Sequence, residues 1–387
     1  MINVDLIIPS IISYQKYPQF QKFQKIQVFQ KFALPAWTGN WFPVWYNLKN
    51  LENRGIKIKF LNYQNVKRNI SKIVGFDSRI INNLIMKYGS VKKTLKNGIL
   101  PLLKKLNKRV DYLIYFDNAD STGQFHSEVL PYVDFYFKKQ LLKDRSLYSE
   151  NLFGKRLFTD FYAKNYNFDI RSPPNTRDEF ISKFKDKIAL SWNFALKDYR
   201  YSNLLSRFFY GFTRKNNLKF YQPSKDRKLI LSTNFTIKSI NKLIYFQRNQ
   251  LLEILKKKYK SSPNVSLGKI PKKIYLLTMR SSKAIVSPYG WGEICYRDFE
   301  TFIAGAALIK PDMDHLDTWP NLYKKDETYI SIPWKIEEWS NTFSEILSDE
   351  KKLLDVARKG QNSYQKIWTN EGNEAFCNHF IRMITPK

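Results

Sequence analysis

The chain is poor in the residues that build metal and redox sites, with two cysteines and three histidines among 387 residues. Cys295 and Cys377 are far apart, and no C-x-x-C or Cys/His zinc spacing exists. A reducing, cytoplasmic setting is therefore expected, with no structural metal and no cofactor. Acidic residues are scarce too: 34 Asp and Glu stand against 65 Lys and Arg, a formal net charge of +31. No apolar run approaches the length of a membrane span. Residues 1–13 lack the basic and apolar regions of a signal peptide, and residues 5–9 read better as a first strand. There is no H-E-x-x-H, no P-loop and no G-x-S-x-G elbow, which sets aside the zinc proteases, the P-loop NTPases and the serine hydrolases of the elbow type.

What is present suffices for packed interiors. A 43% hydrophobic and 16% aromatic content argues against disorder, and 387 residues suggest two domains. The lysines rise together with Asn, Ile, Tyr and Phe and are spread along the chain. AT-rich coding explains that co-enrichment better than a dedicated polyanion site. The excess charge still acts on any anionic surface nearby, so peripheral contact with an anionic membrane is expected, while nucleic acid is not the expected partner.

Apolar patterning alternates between strand and helix. Helical spacing over residues 41–53, with Asn40 as candidate cap and Gly55 as stop, precedes a strand at 56–61. Residues 82–106 read as helix interrupted near Gly89 and Gly98, followed by strands at 112–116, 132–137 and 188–194. Turn residues around 221–226 mark a boundary. Beyond it come a strand at 229–232, a long basic helix at 239–258, a loop at 263–271, a short strand at 329–332 and helices at 337–360 and 371–384. The order predicts parallel sheets covered on both faces, with domains at 1–222 and 223–365 and a last helix, 366–387, that can return to the first domain. Residues 14–32 repeat Gln, Lys and Phe with a period of three. On an α-helix that stripe circles the axis, so the segment reads as a loop or irregular helix, or as a basic-aromatic element touching a membrane.

Residues 287–311, S-P-Y-G-W-G-E-I-C-Y-R-D-F-E-T-F-I-A-G-A-A-L-I-K-P, are the most informative stretch. They read as strand end, a turn carrying Tyr289, Gly290 and Gly292, a helix from Glu293 to Ala304, a Gly305 stop and a strand. A glycine turn leading into a helix start exposes backbone N–H groups and a positive dipole end, an anion site that fits a diphosphate. Arg297, expected one turn in, offers a bidentate fork to phosphate. Glu293 and Glu300 are seven positions apart, two helical turns, and as carboxylates can accept bonds from sugar hydroxyls. An ordinary βαβ unit shares the outline; the clustering of these residues within a dozen positions favours a nucleotide-sugar site.

This segment resembles the donor-binding segment of GT-B glycosyltransferases of the "glycosyl transferases group 1" kind. There a Ser-Pro strand end and a glycine turn lead to a helix of the form E-A-x-A-x-G, matched here by residues 300–305. Family members place seven residues between two glutamates; here there are six between Glu293 and Glu300. The R-x-x-E of Arg297 and Glu300 also looks like that of exostosin-type and fucosyltransferase-type GT-B enzymes. The match covers roughly 50 residues. The resemblance implies an α/β fold of two Rossmann-like domains facing across a cleft, with Glu300 on the ribose hydroxyls and Arg297 on the diphosphate. It implies metal-independent transfer of a hexosyl or pentosyl group from a nucleotide-sugar to a hydroxyl of a glycan or glycolipid acceptor. The alternatives are a basic nucleic-acid-binding protein or an α/β enzyme acting on another nucleotide.

Other candidates follow strands, where open α/β sheets bind ligands. Asp117 and Asp120 come after the 112–116 strand and suit acceptor hydroxyls or a general base; the same residues also suit a capped turn. Their D-x-x-D spacing departs from the metal-binding D-x-D of the GT-A fold. His126 lies just past them, and His315 follows the motif strand, where it can approach the donor. His379, in the last helix, is read as structural. Thr38, Gly39 and Asn40 form a turn able to face the donor, and Lys138, Lys139 and Arg156 are candidates for added positive charge in the cleft.

Overall fold

The structure, a computed structural model, describes residues 1–9, 39–63, 66, 70–168, 181, 183–200, 218–237 and 241–385. The periodic segment 14–32 and Thr38 lie outside the described residues.

Strands β1 (Ile2–Ile8), β2 (Ile56–Asn62), β3 (Ile73–Asp77), β4 (Tyr112–Asp117), β5 (Phe135–Lys138) and β7 (Ile188–Leu190) form one sheet, ordered β2-β1-β3-β4-β5-β7 and parallel throughout. Strands β8 (Leu229–Thr233), β9 (Val265–Leu267), β10 (Ser282–Val286), β11 (Ala307–Pro311) and β13 (Ile330–Ile332) form a second parallel sheet, ordered β13-β11-β10-β8-β9. β3 and β11 are buried along their whole length, as parallel strands covered on both faces must be. In each sheet the first strand is flanked on one side by the second and on the other by the third. That places a switch point between β1 and β3 and another between β8 and β10. The chain is thus an α/β protein of two Rossmann-like halves.

Several elements differ from the pattern expected. Residues 41–53 form two short helices, Phe42–Tyr46 and Leu48–Glu52, broken at Asn47. Asn40 does not cap the first; its amide donates to the Asn118 side chain at 2.5 Å and its carbonyl accepts the Trp192 indole N–H. The 263–271 loop contains β9, and a helix, Lys272–Arg280, follows it. The motif helix begins at Tyr296 and not at Glu293. Asp349 caps a second helix inside the long one expected at 337–360.

The halves are joined by more than the chain. β6 (Gln140–Leu142) pairs antiparallel with β12 (Leu316–Thr318), one strand from each half. The Thr318 hydroxyl donates to the Lys139 carbonyl, and the Asn193 amide donates to the Thr318 hydroxyl and the Pro320 carbonyl. The Leu157–Asn165 helix buries Phe158 and Tyr162 in the same core as Leu231 and Val286. The last helix, Asn370–Ile384, buries Phe376, Phe380 and Met383 beside Val4, Leu6 and Trp41 of the first half.

Candidate functional site

The carboxyl ends of β8 and β10 open on a cluster of cations. Arg248, on the long Lys242–Tyr259 helix, donates through Nε to the Tyr289 carbonyl at 2.9 Å and through Nη1 to the Thr236 carbonyl at 2.8 Å. Its Nη2 lies 3.0 Å from where a side chain on Gly290 would begin, which explains a glycine there. Arg297 reaches the Asn234 carbonyl at 3.4 Å, and its Nε is buried with no hydrogen-bond partner. The hydroxyls of Ser232 and Thr233, at the end of β8, are likewise buried and unpartnered. Buried donors of this kind usually have partners.

The electrostatics favour an anion. Burial lowers the Arg248 pKa, Cys295 draws it back up and the neighbouring Arg297 charge lowers it again. Arg297 is pulled down by burial but raised overall by Tyr275, Cys295, Glu300 and Asp298. Two guanidinium groups thus stand close enough to repel each other at one strand end. Glu300 is fixed by the Tyr275 hydroxyl, which donates to its carboxylate at 3.1 Å. Arg248, Tyr275 and Asn234 were not singled out from the sequence. An arginine inside a long basic helix looks like a solvated face until the fold turns it inward.

The helix start is met by a carboxylate of the chain itself. Cys295 is the N-cap, and Asp298 accepts its backbone N–H at 3.0 Å. The same buried carboxylate takes the Ser287 hydroxyl at 2.5 Å, the Tyr323 hydroxyl at 2.8 Å and the Lys310 ammonium at 3.2 Å. The positive end of the helix is therefore faced by the chain's own carboxylate.

Glu293 and Glu300 do not share a helix side. Glu293 lies before the helix, fully buried, and accepts the Thr122 N–H at 3.2 Å, the Thr122 hydroxyl at 2.7 Å and the Gln140 amide at 2.9 Å. It ties the glycine turn to the first half. Gly292 lies against the Asp120 backbone for the same reason. Tyr289 is buried, with its hydroxyl on the Asp312 carbonyl and the Trp334 indole N–H donating to it.

In the first half, Asp117 is a buried hub. It accepts the Tyr136 hydroxyl at 2.6 Å and pairs with the Lys138 ammonium at 3.1 Å. Burial would raise its pKa, but Lys138, His126, Tyr136 and the Ala119 N–H together lower it. Asp117 is thus engaged in the core and not displayed to a substrate. Asp120, three residues on, has a side chain 51% exposed and pairs with Lys139 at 3.0 Å. His126 contacts the Tyr115 hydroxyl at 3.0 Å and lies 3.9 Å from Asp117. Burial lowers its pKa, against the pull of Asp117. His315 sits edge-on to Tyr289 and Trp334, with both ring nitrogens shielded and unpartnered, and burial lowers its pKa as well. Lys138, Lys139 and Arg156 are buried and do not line open space: the first two pair with Asp117 and Asp120 inside the first half, and Arg156 braces the seam by donating to the Trp291 carbonyl at 2.7 Å. Asn40 joins a network around Asp77, which pairs with Arg79 at 2.6 Å and accepts the Trp41 and Asn118 N–H groups.

The structure therefore brings together Gly290, Arg248, Arg297, Tyr275 and Glu300 in the second half, and Asp117, Lys138 and His126 in the first. The two groups approach where Asp120 meets Gly292, two residues beyond Gly290. Among the described residues no three His, Cys, Asp or Glu side chains gather as metal ligands.

No family model matches the chain. No curated protein matches it. Solved structures to which it is similar include HepE of Anabaena in complex with UDP, at 10% identity over 99% of this chain and 100% of that one, with a TM-score of 0.42. TarM is similar at 10% identity over 81% of this chain and 54% of that one, with a TM-score of 0.42, so the chain matches about half the length of TarM. The DNA-modifying enzyme β-glucosyltransferase, crystallised with and without uridine diphosphoglucose, is similar at 12% identity over 99% of each chain, with a TM-score of 0.36. By its own strand order, with two parallel sheets whose carboxyl edges meet and a last helix returned to the first half, the chain has the GT-B type of fold.

Proposed function

We propose that the chain is a glycosyltransferase that moves a sugar from a nucleotide-sugar donor to a hydroxyl of a glycan or lipid-linked acceptor, without a metal ion. The observation that carries this reading is the pair Arg248 and Arg297 at the β8/β10 switch point, with Arg297 Nε unpartnered, Gly290 cleared for a close approach and Glu300 held beside them. Two fixed guanidinium groups suit a diphosphate, and a fixed carboxylate suits ribose hydroxyls. In the division proposed, residues 223–365 hold the donor, residues 1–222 the acceptor, and 366–387 close the chain onto the first half.

The acceptor oxygen attacks the anomeric carbon, and the bond from that carbon to the diphosphate breaks. The electron pair leaves on the diphosphate, where Arg248 and Arg297 meet the new charge. We assign the hydroxyl proton to Asp120, whose side chain is 51% exposed and paired with Lys139 and whose backbone lies against the glycine turn. Asp117 orders the turn that carries Asp120, through its bond from the Ala119 N–H at 2.9 Å.

The test is a thermal-shift screen against UDP, GDP, ADP, CMP and their sugar forms, with Glu300→Ala alongside. Stabilisation by one nucleotide family that the variant loses supports the reading. A salt-sensitive shift with oligonucleotides and none with nucleotides replaces it with nucleic-acid binding.

A further inference from the structure

The Lys272–Arg280 helix is hardly covered by the rest of the protein: of its nine residues only Met279 is buried. Tyr275 and Leu276 pack inward on Met279, Ile285, Ala304 and Ala306. Ile274 and Leu277, three apart and so on one side of the helix, stay 45% and 58% exposed. Lys269, Lys272 and Lys273 are exposed just before and at the start of the helix, and none forms an ion pair among the described residues. The surrounding sequence is one-signed: residues 254–292 contain eight lysines and one arginine, with no Asp or Glu. Lys256 and Lys283 in that stretch do find acidic partners, Glu253 and Glu350, both from outside it.

We propose that this helix docks the protein onto an anionic phospholipid surface, Ile274 and Leu277 entering the headgroup region while Lys269, Lys272 and Lys273 meet lipid phosphates. Two exposed aliphatic side chains on a helix that opens with exposed lysines match the apolar-plus-basic make-up of an interfacial helix. Single-stranded nucleic acid is the poorer match, because the exposed positions of the helix carry aliphatic groups and no aromatic ring for a base to stack on. Among the described residues no helix is long and apolar enough to cross a membrane, so this contact is peripheral. The inner side of the same helix carries Tyr275, which holds Glu300, so docking sets the donor-side cluster at the lipid boundary. The docking itself does not depend on the reaction proposed above.

The experiment is co-sedimentation of the full chain with vesicles of phosphatidylcholine alone and of phosphatidylcholine mixed with phosphatidylglycerol. Binding to the mixed vesicles only, weakened by salt, is expected. Each lysine near such a surface changes the partition roughly fivefold, so Lys272→Glu with Lys273→Glu lowers it by more than about tenfold. Ile274→Ser with Leu277→Ser lowers it without removing the salt dependence. Both variants keep the parent melting temperature, because the altered groups are exposed. Failure to bind the mixed vesicles overturns the proposal. So does binding that both variants leave intact, which assigns it to another part of the chain, or a loss confined to oligonucleotide binding.

Discussion

A side chain on Gly292 would overlap the backbone carbonyl oxygen of Asp120. Backbone meets backbone there across the two halves, and no rotamer change relieves the clash. Gly292→Ala must part the seam, at the upper end of the roughly 1–3 kcal/mol that overpacking costs. Gly290→Ala has its tightest contact with a side chain, Arg248 Nη2 at 3.0 Å, and meets no backbone atom closer than 3.9 Å. Its melting temperature should stay close to the parent while nucleotide affinity falls. Urea unfolding and nucleotide titration of the two variants separate a seam glycine from a site glycine; equal unfolding curves would contradict the contrast.

Glu293 leads to a related expectation. Glu293→Ala leaves the Thr122 N–H and hydroxyl buried without their acceptor, while the Gln140 amide keeps only the Asp120 carbonyl, and each orphaned donor costs about 1–3 kcal/mol. Glu293→Gln keeps the oxygen that one donor needs and should lose less. Neither change should alter nucleotide affinity beyond the effect of partial unfolding. A Glu293→Gln protein with parental stability but weak nucleotide binding would return Glu293 to the donor site.

Arg297→Lys and Arg248→Lys keep the charge but not the fork. Hydrogen bonds to charged groups are worth about 1.5–3 kcal/mol, so nucleotide affinity should fall roughly ten- to hundredfold in each. Arg248→Lys has the further effect of freeing the Tyr289 and Thr236 carbonyls that Arg248 now holds. Isothermal titration with the nucleotide that stabilises the parent measures both.

Much of this arrangement was legible in the residues and some was not, for definable reasons. Gly305 was readable as a helix stop, and it has the positive φ of 70° that the position demands. β1, β4 and β8 follow from short apolar runs. β3 was missed because its signal is Gly75 in a five-residue run; the glycine is needed where a side chain would strike Leu6 at 2.6 Å, a strand 69 positions away. β9 was missed because its three residues look like part of a turn until they pair with β8. The motif helix starts late because its cap is Cys295, outside the usual capping residues, and what fixes it is Asp298 at the third position. The cationic pair was half visible. Arg297 stood in a recognisable motif. Arg248 precedes Gly290 by 42 positions and reaches it only through the packing of the Lys242–Tyr259 helix, which no local pattern announces.

The histidines make a prediction about pH. Burial lowers the pKa of His126, His315 and His379 below the ordinary 6.5. The unfolded chain then binds more protons than the folded one between 6.5 and the depressed values. Stability is complete above the unfolded value and is lost as pH falls through that window, by at most about 1.4 kcal/mol per histidine for each pH unit crossed. His315 has no hydrogen-bond partner to lose, so His315→Phe should flatten the acid side of the melting curve with little loss of stability near pH 8. An unchanged slope in that variant would mean that His315 is protonated as readily in the fold as in water.

Asp117 and Lys138 give the sharpest contrast with pH. Both are fully buried, 3.1 Å apart, and each is the other's counter-charge. Lys138→Met takes the largest stabilising charge from Asp117 and leaves the buried carboxylate with the Tyr136 hydroxyl, the Ala119 N–H and the nearby His126 ring, a loss of about 3–5 kcal/mol at neutral pH. Asp117 has a folded pKa below the ordinary 3.8, so its contribution is present above that value and lost as pH falls through the folded one. Without Lys138 the carboxyl takes up a proton at higher pH, and the penalty for burying it shrinks. The gap in stability between parent and Lys138→Met should therefore narrow as the pH is lowered toward 4, although both proteins become less stable. Asp117→Asn in the Lys138→Met background removes the charge outright and should recover part of the loss at pH 7. Urea unfolding of parent, single and double variants at pH 7 and pH 5 measures this, and a gap that widens on acidification would show that Lys138 is not what keeps Asp117 ionised.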